Sequence, residues 1–231
     1  MALQNSTKPP LIVFDLDGTL IDTAPDLLES LNHVIMNDGL PPVDQQKLRK
    51  FVGFGGRVMI QNAYDDASKH LEDQKLDLLL ADFITHYAAN MPGLSQPYPG
   101  LLTALSSLKE ANCRFAICTN KTEMLSKQLM DALGMAHQFE ANCGQDTFPV
   151  RKPHPDHLLK TIEMAGGDRQ NAIMIGDTPT DFSTAKAAMI PLVAVDFGYC
   201  DEPVSNYAPD KVISHYDELT PSLIKSLLKT E

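Results

Sequence analysis

Two aspartates separated by one residue stand directly after a short apolar segment near the start of the chain. Leu11 to Phe14 is an apolar run of β-forming residues, too short for a helix, which predicts a buried strand. Asp15 and Asp17 follow, and Gly18 permits a tight turn that lets both carboxylates face the carboxyl end of that strand. In such a pair, one carboxylate can attack phosphorus, while the other protonates the leaving oxygen and later accepts a proton from water.

Polar residues also follow two later segments of the chain. Thr119 and Asn120 come after the predicted strand Arg114 to Cys118, where a hydroxyl and the backbone N–H groups beyond the strand can donate hydrogen bonds to phosphate oxygens. Lys152 precedes Pro153 and can offer a point charge to a phosphoryl group and to a nucleophilic carboxylate. Taken singly, the first pair is typical of a helix cap and the lysine of a solvated loop.

A third apolar strand, Ile173 to Ile175, is followed by Gly176 and then by Asp177. At this position Asp177 can bind a cation directly. Asp181 falls in the first turn of the next helix, where it can orient the waters of a cation or brace Lys152. An aspartate near a helix start is also a common capping residue, so Asp181 alone is weak evidence for a cation site.

These segments resemble, in order, the four motifs of the haloacid dehalogenase superfamily, most of whose members are phosphohydrolases. The resemblance reaches from Asp15 to Asp181 and therefore covers most of the chain. It is carried by Asp15-Leu16-Asp17-Gly18-Thr19-Leu20, Thr119-Asn120-Lys121, Lys152-Pro153-His154-Pro155 and Ile175-Gly176-Asp177-Thr178-Pro179-Thr180-Asp181.

The resemblance implies a role for each motif residue. Asp15 is the expected nucleophile and Asp17 the general acid and base, which places the chain outside the dehalogenase branch, since that branch lacks the second acid. Thr119 and Lys152 are expected to balance charge on the transferred phosphoryl group. The backbone N–H groups expected to bind its oxygens belong to Asp17, Gly18 and Asn120.

The same resemblance implies a Mg²⁺ cofactor. Its expected protein ligands are the Asp15 carboxylate, the Asp17 backbone carbonyl and Asp177. Asp181 is expected to support these residues without binding the ion itself. Few protein ligands suffice, because Mg²⁺ usually keeps several of its waters.

The pattern of the whole chain predicts an α/β fold. Residues 22–95 show helical periodicity and include helices from Asp22 and from Asp44 to Phe51, while residues 96–231 alternate between strands and helices. We therefore expect a Rossmann-like parallel sheet with helices on both faces, formed by residues 1–21 and 96–231. Residues 22–95 are expected to form a small α-helical cap inserted after the first motif, and residues 1–10 a loose arm.

Within this insertion, Val52-Gly53-Phe54-Gly55-Gly56-Arg57 is similar to the cap loop of bacterial phosphoglycolate phosphatases. Gly53 and Gly55 would let the backbone approach a small substrate, and Arg57 could pair with a substrate carboxylate. Arg49 and Lys50 are alternatives, and Arg57 could equally be a solvent-facing helix residue. Thr178-Pro179-Thr180 departs from the Ser-Arg-Asn-like segment usual in these enzymes, and Met189 replaces a frequent glycine.

We therefore expect a phosphomonoesterase that converts 2-phosphoglycolate to glycolate and phosphate. Alternatives on the same core are a phosphatase of a sugar phosphate, such as an amino-sugar acid 6-phosphate, a pyrophosphatase or a nucleotidase. A phosphosugar mutase, a phosphonate hydrolase using Lys47, Lys50 or Lys69, and a non-enzymatic binding protein are less favoured. The joint presence of Asp15, Asp17, Lys152 and Asp177 argues against the last of these.

The composition is consistent with that expectation. The 231 residues carry a formal net charge of -11, which argues against a nucleic-acid or anionic-membrane partner. No apolar run is long enough to cross a bilayer, and residues 1–10 lack the apolar run of a signal peptide, so a cytoplasmic location is expected. The expected partner is a small phosphorylated metabolite, and the expected state is a monomer or a homodimer.

Overall fold

The computed structural model describes residues 8–44, 51–53 and 55–228. Its main element is a six-stranded sheet in which every neighbouring pair of strands is parallel. The strands are β1 (Leu11–Phe14), β4 (Arg114–Cys118), β5 (Ala141–Cys143), β6 (Ala172–Gly176), β7 (Leu192–Val195) and β8 (Lys211–Ile213). Their spatial order is β5-β4-β1-β6-β7-β8, which places β1 at the centre, between β4 and β6.

Both faces of the sheet are buried, as continuous apolar strands of a parallel sheet require. Ile12 and Phe14 of β1 belong to one apolar cluster, and Leu11 and Val13 belong to the other. The helices from residue 101 onwards are α4 (Leu101–Glu110), α5 (Glu123–Ala132), α6 (Pro155–Met164), α7 (Pro179–Ala188) and α8 (Pro221–Leu228). Side chains of α4, α5 and α8 cover the first face, and those of α6 and α7 cover the second.

Residues 23–95, which precede α4, contribute three helices whose bounds the structure describes. These are α1 (Ala24–Asn37), α2 (Gly56–Asp66) and α3 (Asp73–Asn90), and they pack on one another. Two short antiparallel strands, β2 (Ile21–Asp22) and β3 (Gln96–Pro97), lie where this segment leaves and rejoins the sheet. The predicted helix from Asp44 to Phe51 lies almost wholly outside the described residues.

The predicted fold class is confirmed, since the structure has a parallel α/β core with helices on both faces. The sequence pattern missed the pairing of β2 with β3 because two-residue strands show no periodicity. In the described part of the chain, no helix is long and apolar enough to span a membrane.

The start of α1 also differs in detail from the expectation. The helix expected from Asp22 begins at Ala24, and the side chain of Thr23, in the cap position, makes no capping hydrogen bond. The Thr23 hydroxyl instead donates to Asp17 Oδ1 at 2.7 Å, so this polar side chain supports the first motif. Tyr199 Oη accepts hydrogen bonds from the Thr23 and Ala24 N–H groups, at 2.8 and 2.9 Å, and so satisfies two donors at the helix start.

Candidate active site

The first and fourth motifs meet because β1 and β6 are neighbouring parallel strands. Phe14 pairs with Ile175, and the Asp15 N–H donates to the Ile175 carbonyl at 2.9 Å, which extends the ladder by one residue. Asp15 and Asp177 therefore leave the same edge of the sheet. Carboxylate oxygens of Asp15, Asp177 and Asp181 all lie within 4.8 Å of one another, and all three residues are buried.

Lys152 is the positive charge of this cluster. Its ammonium group lies 2.8 Å from Asp15 Oδ1 and 2.6 Å from Asp181 Oδ1, and its side chain is 2% exposed. Burial disfavours the charged amine, but Asp15 and Asp181 outweigh that effect and hold the pKa of Lys152 above its ordinary value. Lys152 thus remains a cation in contact with the expected nucleophile.

The three carboxylates carry more negative charge than Lys152 can balance. Burial and the Asp181 carboxylate raise the pKa of Asp15 to about 7, and Lys152 opposes this only in part. Burial, followed by Asp181 and Asp15, also raises the pKa of Asp177 well above its usual range. The Thr19 hydroxyl and the Tyr199 N–H donate to Asp177 at 2.7 and 2.8 Å, which fixes that carboxylate in place.

This charge imbalance and the chemistry of the donors fit a hard divalent cation. Asp15 and Asp177 offer carboxylate oxygens, which are the ligands such ions prefer, and a cation would relieve the repulsion between them. Asp181 is committed to other partners: its Oδ2 accepts from the Thr178 N–H and hydroxyl at 3.0 and 2.7 Å, and its Oδ1 from Lys152. The cluster therefore has the composition of a divalent-metal site with Asp181 as a support.

Asp17 occupies a different environment from Asp15. Its side chain is 17% exposed, and its Oδ1 accepts hydrogen bonds from Lys121 Nζ at 2.9 Å and from the Thr23 hydroxyl at 2.7 Å. The two aspartates of the first motif thus contact two different lysines, Lys152 and Lys121. This separation gives the two carboxylates distinct chemical surroundings within one turn.

Thr119 and Asn120 lie at the end of β4, beside the cluster. The Thr119 N–H donates to the Cys143 carbonyl at 3.0 Å, and its hydroxyl accepts from the Lys121 N–H at 3.1 Å. The Asn120 side chain donates to the Lys152 carbonyl at 3.0 Å and so ties the second motif to the third.

Gly18 has a backbone conformation that other residues rarely adopt, with φ at +84°. A Cβ at this position would collide with the Asp177 carboxylate and, at 2.6 Å, with the Tyr199 ring. Its N–H donates to the Ile21 carbonyl at 2.9 Å, so phosphate binding by this group, which the sequence predicts, would require that bond to be shared or broken.

The cap-loop residues are placed in two different surroundings. Gly53 approaches the fourth motif, since a Cβ there would lie 2.8 Å from Thr178 Cγ2. Gly55 is the residue before α2, and Arg57, in the first turn of that helix, forms an ion pair with Asp77 of α3. The side chains of Arg57 and Asp77 are 49% and 62% exposed. Arg49 and Lys50 lie outside the described residues.

A surface cavity of about 420 Å³ lies elsewhere, between α1 and α3. Its lining includes His33 and His86, whose rings stack with centroids 4.0 Å apart. Among the described residues, none of the four motifs contributes to that lining, so the chemistry of the motifs is not located there.

Several residues that support the site were not assigned a role from the sequence. In the sequence, Lys121 stands out only as part of the second motif, and Tyr199 lies outside all four motifs. His157 accepts the Lys152 N–H at Nδ1 (3.1 Å), so its Nε2 carries the hydrogen and donates to the Gly144 carbonyl at 3.0 Å. Burial, aided by the charge of Lys152, lowers the pKa of His157 to about 4, which keeps the ring neutral. Of these three residues, only Lys121 could have been identified as a site residue from the sequence, because it directly follows Thr119 and Asn120.

A parallel α/β core with acidic residues after two neighbouring strands, and a buried lysine in contact with them, defines the class of haloacid dehalogenase-like hydrolases. The chain belongs to that family, whose sequence profile matches residues 12–195. The structure also resembles the crystal structure of a predicted phosphoglycolate phosphatase from Haemophilus somnus, with a TM-score of 0.85 and 27% identity. That match covers 93% of this chain and 98% of the other.

Two bacterial relatives are similar over nearly the whole chain. A phosphoglycolate phosphatase of Mesorhizobium japonicum is 53% identical over 220 residues, which cover 95% of this chain and 97% of the relative. A phosphoglycolate phosphatase of Agrobacterium fabrum is 48% identical, with coverages of 95% and 94%. The protein is therefore a phosphoric monoester hydrolase, and it acts on a small phosphorylated substrate.

Proposed function

We propose that this enzyme hydrolyses 2-phosphoglycolate to glycolate and phosphate, through an aspartyl phosphate on Asp15 and with Mg²⁺ as cofactor. One observation carries the mechanism: Asp15 lies in the buried cluster against Lys152, while Asp17, two residues on, is held outside it by Lys121 and Thr23. Two carboxylates in two environments suit two different roles.

In the first half of the reaction, an Asp15 carboxylate oxygen attacks phosphorus, and the bond from phosphorus to the glycolate oxygen breaks. Asp17 donates a proton to that oxygen, which leaves as the hydroxyl group of glycolate. Lys152 contacts Asp15, and Thr119 follows β4, the strand next to that of Asp15, so both can balance charge on the phosphoryl oxygens.

In the second half, water attacks the phosphorus of the aspartyl phosphate. Asp17, now ionised, accepts a proton from that water, and the bond between phosphorus and the Asp15 oxygen breaks. Inorganic phosphate leaves and both carboxylates return to their initial states. The same residue thus serves as acid and then as base.

Mg²⁺ would be held by the Asp15 and Asp177 carboxylates and by the Asp17 backbone carbonyl. When bound, it supplies positive charge that favours the ionised nucleophile and offsets the charge of the phosphoryl group. Asp181 holds Lys152 and the Thr178 backbone beside this position.

Residues 22–95 are proposed to act as a cap on a core formed by residues 1–21 and 96–231. Helices α1, α2 and α3 pack on one another, and the loop at Gly53 approaches Thr178 of the fourth motif. A cap in this position would exclude water and contact the leaving group. Gly53, Gly55 and Arg57 remain the candidate residues of the cap for that contact.

The choice of 2-phosphoglycolate is supported by the two relatives described above and by the glycine-rich loop at residues 52–57. The predicted cytoplasmic location, and the predicted state of monomer or homodimer, stay predictions.

Phosphate release from a substrate panel tests this proposal. The panel contains 2-phosphoglycolate, sugar phosphates, nucleotides and pyrophosphate, each measured with Mg²⁺ and with chelator. We expect Mg²⁺-dependent release, with kcat/KM for 2-phosphoglycolate well above every other value. Faster turnover of another member would reject the substrate, and absence of an acid-stable phosphoryl adduct on Asp15 would reject the mechanism.

A further inference from the structure

Lys121 is a second buried cation next to the proposed reaction centre; it holds Asp17 in place, but no step of the proposed reaction involves it directly. Its side chain is 6% exposed, and its ammonium group lies 2.9 and 3.3 Å from the two carboxylate oxygens of Asp17. Lys152, in contrast, is already shared between Asp15 and Asp181. Lys121 thus contacts the proposed acid, and Lys152 contacts the proposed nucleophile.

The other side of Lys121 faces the helical insertion. Its ammonium group lies 4.4 Å from the centre of the Tyr87 ring, which belongs to α3 and is 1% exposed. Burial disfavours the charge of Lys121, but Asp17 and Tyr87 outweigh burial and raise its pKa, so the group stays a cation. An ammonium group has three donors, and the two oxygens of Asp17 account for two of them, so one donor can bind a second anion.

The structure of 2-phosphoglycolate places its carboxylate close to Asp17. The carboxyl carbon is two bonds from the oxygen that leaves phosphorus, and Asp17 must reach that oxygen to protonate it. A cation that already touches Asp17 is therefore within reach of the substrate carboxylate. Arg57, the cation expected from the sequence, is instead half exposed and paired with Asp77.

We propose that Lys121 determines specificity by binding the carboxylate of the leaving group, from its position between Asp17 and Tyr87. This inference rests on the proposed substrate, and it makes the second motif a recognition element as well as a phosphate-binding one. A neutral leaving group of the same size would leave this cation without its second partner.

The test compares 2-phosphoglycolate with 2-hydroxyethyl phosphate, in which a hydroxymethyl group replaces the carboxylate. We expect the wild-type enzyme to prefer 2-phosphoglycolate. In Lys121→Met that preference should fall by about tenfold or more, mainly through KM, since a hydrogen bond between charged groups is lost. Lys121→Arg, which keeps the charge, should retain part of the preference.

Two further variants complete the design. Lys127→Met makes the same change on α5, where Lys127 is 56% exposed and paired with Glu123, and it should keep the wild-type preference. Arg57→Met tests the competing cation. Thermal unfolding of each variant verifies that it is folded, and Lys121→Gln replaces Lys121→Met if the latter is not.

Equal losses on both substrates in Lys121→Met would overturn the inference, because they would mean that Lys121 acts only by positioning Asp17. Loss of the preference in Arg57→Met, but not in Lys121→Met, would also overturn it. A wild-type enzyme with no preference would reject 2-phosphoglycolate itself, and the role of Lys121 with it. Failure of the inference alone is thus distinct from failure of the proposed function.

Discussion

Asp26, in the first turn of α1, accepts two hydrogen bonds from Ser95, at the far end of the helical segment between β2 and β3. The Ser95 N–H lies 3.2 Å and its hydroxyl 2.5 Å from Asp26 Oδ2, and the Leu94 N–H lies 2.6 Å from Oδ1. Asp26 is 3% exposed. The two ends of this helical segment are thus joined by a buried carboxylate as well as by the short strands β2 and β3.

Replacing Asp26 by alanine should destabilise the protein. Three donors, the Leu94 N–H, the Ser95 N–H and the Ser95 hydroxyl, would lose their acceptor in a buried place. We expect a loss of about 2–4 kcal/mol in the free energy of unfolding, since buried donors without partners are costly. Urea denaturation followed by circular dichroism measures it.

Asp73→Ala is the matched control. Asp73 also lies in the first turn of a long helix, α3, but it is exposed, so its removal should cost at most about 1 kcal/mol. A similar loss in both variants would mean that the helix-start charge of Asp26, and not its bonds to Ser95, stabilises the protein.

Asp17→Asn should separate the two halves of the proposed reaction. Hydrolysis of 2-phosphoglycolate should be almost abolished, because its alkoxide leaves poorly without a proton donor. With an aryl phosphate such as p-nitrophenyl phosphate, whose leaving group needs no acid, Asp15 can still be phosphorylated. We then expect a burst of about one nitrophenol per enzyme in rapid-mixing experiments, followed by slow turnover, since water lacks its base.

Asp15→Asn is the control for this experiment, and it should show neither burst nor turnover. Mass spectrometry after acid quenching should find one added phosphoryl group in Asp17→Asn and none in Asp15→Asn. A burst that persists in Asp15→Asn would show that another residue, or water, attacks phosphorus.

The carboxylate cluster should make the stabilisation by Mg²⁺ depend on pH. The pKa of Asp15 is raised to about 7 in the metal-free folded protein, whereas an aspartate of the unfolded chain has a pKa of about 3.9. Between these two pH values the folded protein keeps a proton that the unfolded chain has lost. This group therefore stabilises the metal-free protein most at low pH, and that stability is lost as pH rises from about 4 through 7. Mg²⁺ favours the ionised carboxylates, so the stabilisation that it adds should increase as pH rises.

Thermal unfolding with and without Mg²⁺ measures this coupling. The increase in Tm on adding Mg²⁺ should be larger at pH 8 than at pH 5, where protons compete with the metal. Asp177→Asn, which removes an expected ligand, should lose most of the increase at pH 8. Equal increases at both pH values would contradict a cation at the Asp15 and Asp177 carboxylates.

Much of the fold follows from local sequence patterns. The strands Leu11–Phe14 and Arg114–Cys118 are apolar runs that end in polar residues, and the structure gives them the bounds expected from the sequence. Because parallel strands place their carboxyl ends at one edge, the meeting of Asp15 with Asp177 could also be anticipated.

Contacts made by loops and by the helical segment between β2 and β3 could not be anticipated in the same way. The bond between Asp17 and Lys121 joins residues 104 positions apart, and Tyr199 reaches Asp22 across 177 positions. Neither pairing leaves a periodic signal, since each depends on how the chain returns to the sheet. Thr23 shows the same limit: it occupies the cap position of α1, yet its hydroxyl donates a hydrogen bond to Asp17 and not to the helix.

The approach of Gly53 to Thr178 gives a prediction about closure of the proposed cap. A Cβ at position 53 would lie 2.8 Å from Thr178 Cγ2, closer than such carbons pack. Gly53→Ala should therefore push the loop away from the fourth motif and lower kcat/KM for the physiological substrate, by about tenfold if the loop must close for catalysis.

Thr178→Ser supplies the complementary change. It removes the Cγ2 methyl group but keeps the hydroxyl that donates to Asp181 at 2.7 Å, so alone it should have little effect. Combined with Gly53→Ala, it should restore most of the lost activity, because the new methyl group occupies the space of the old one. A double mutant no more active than Gly53→Ala would mean that the alanine acts through the loop backbone and not through this contact.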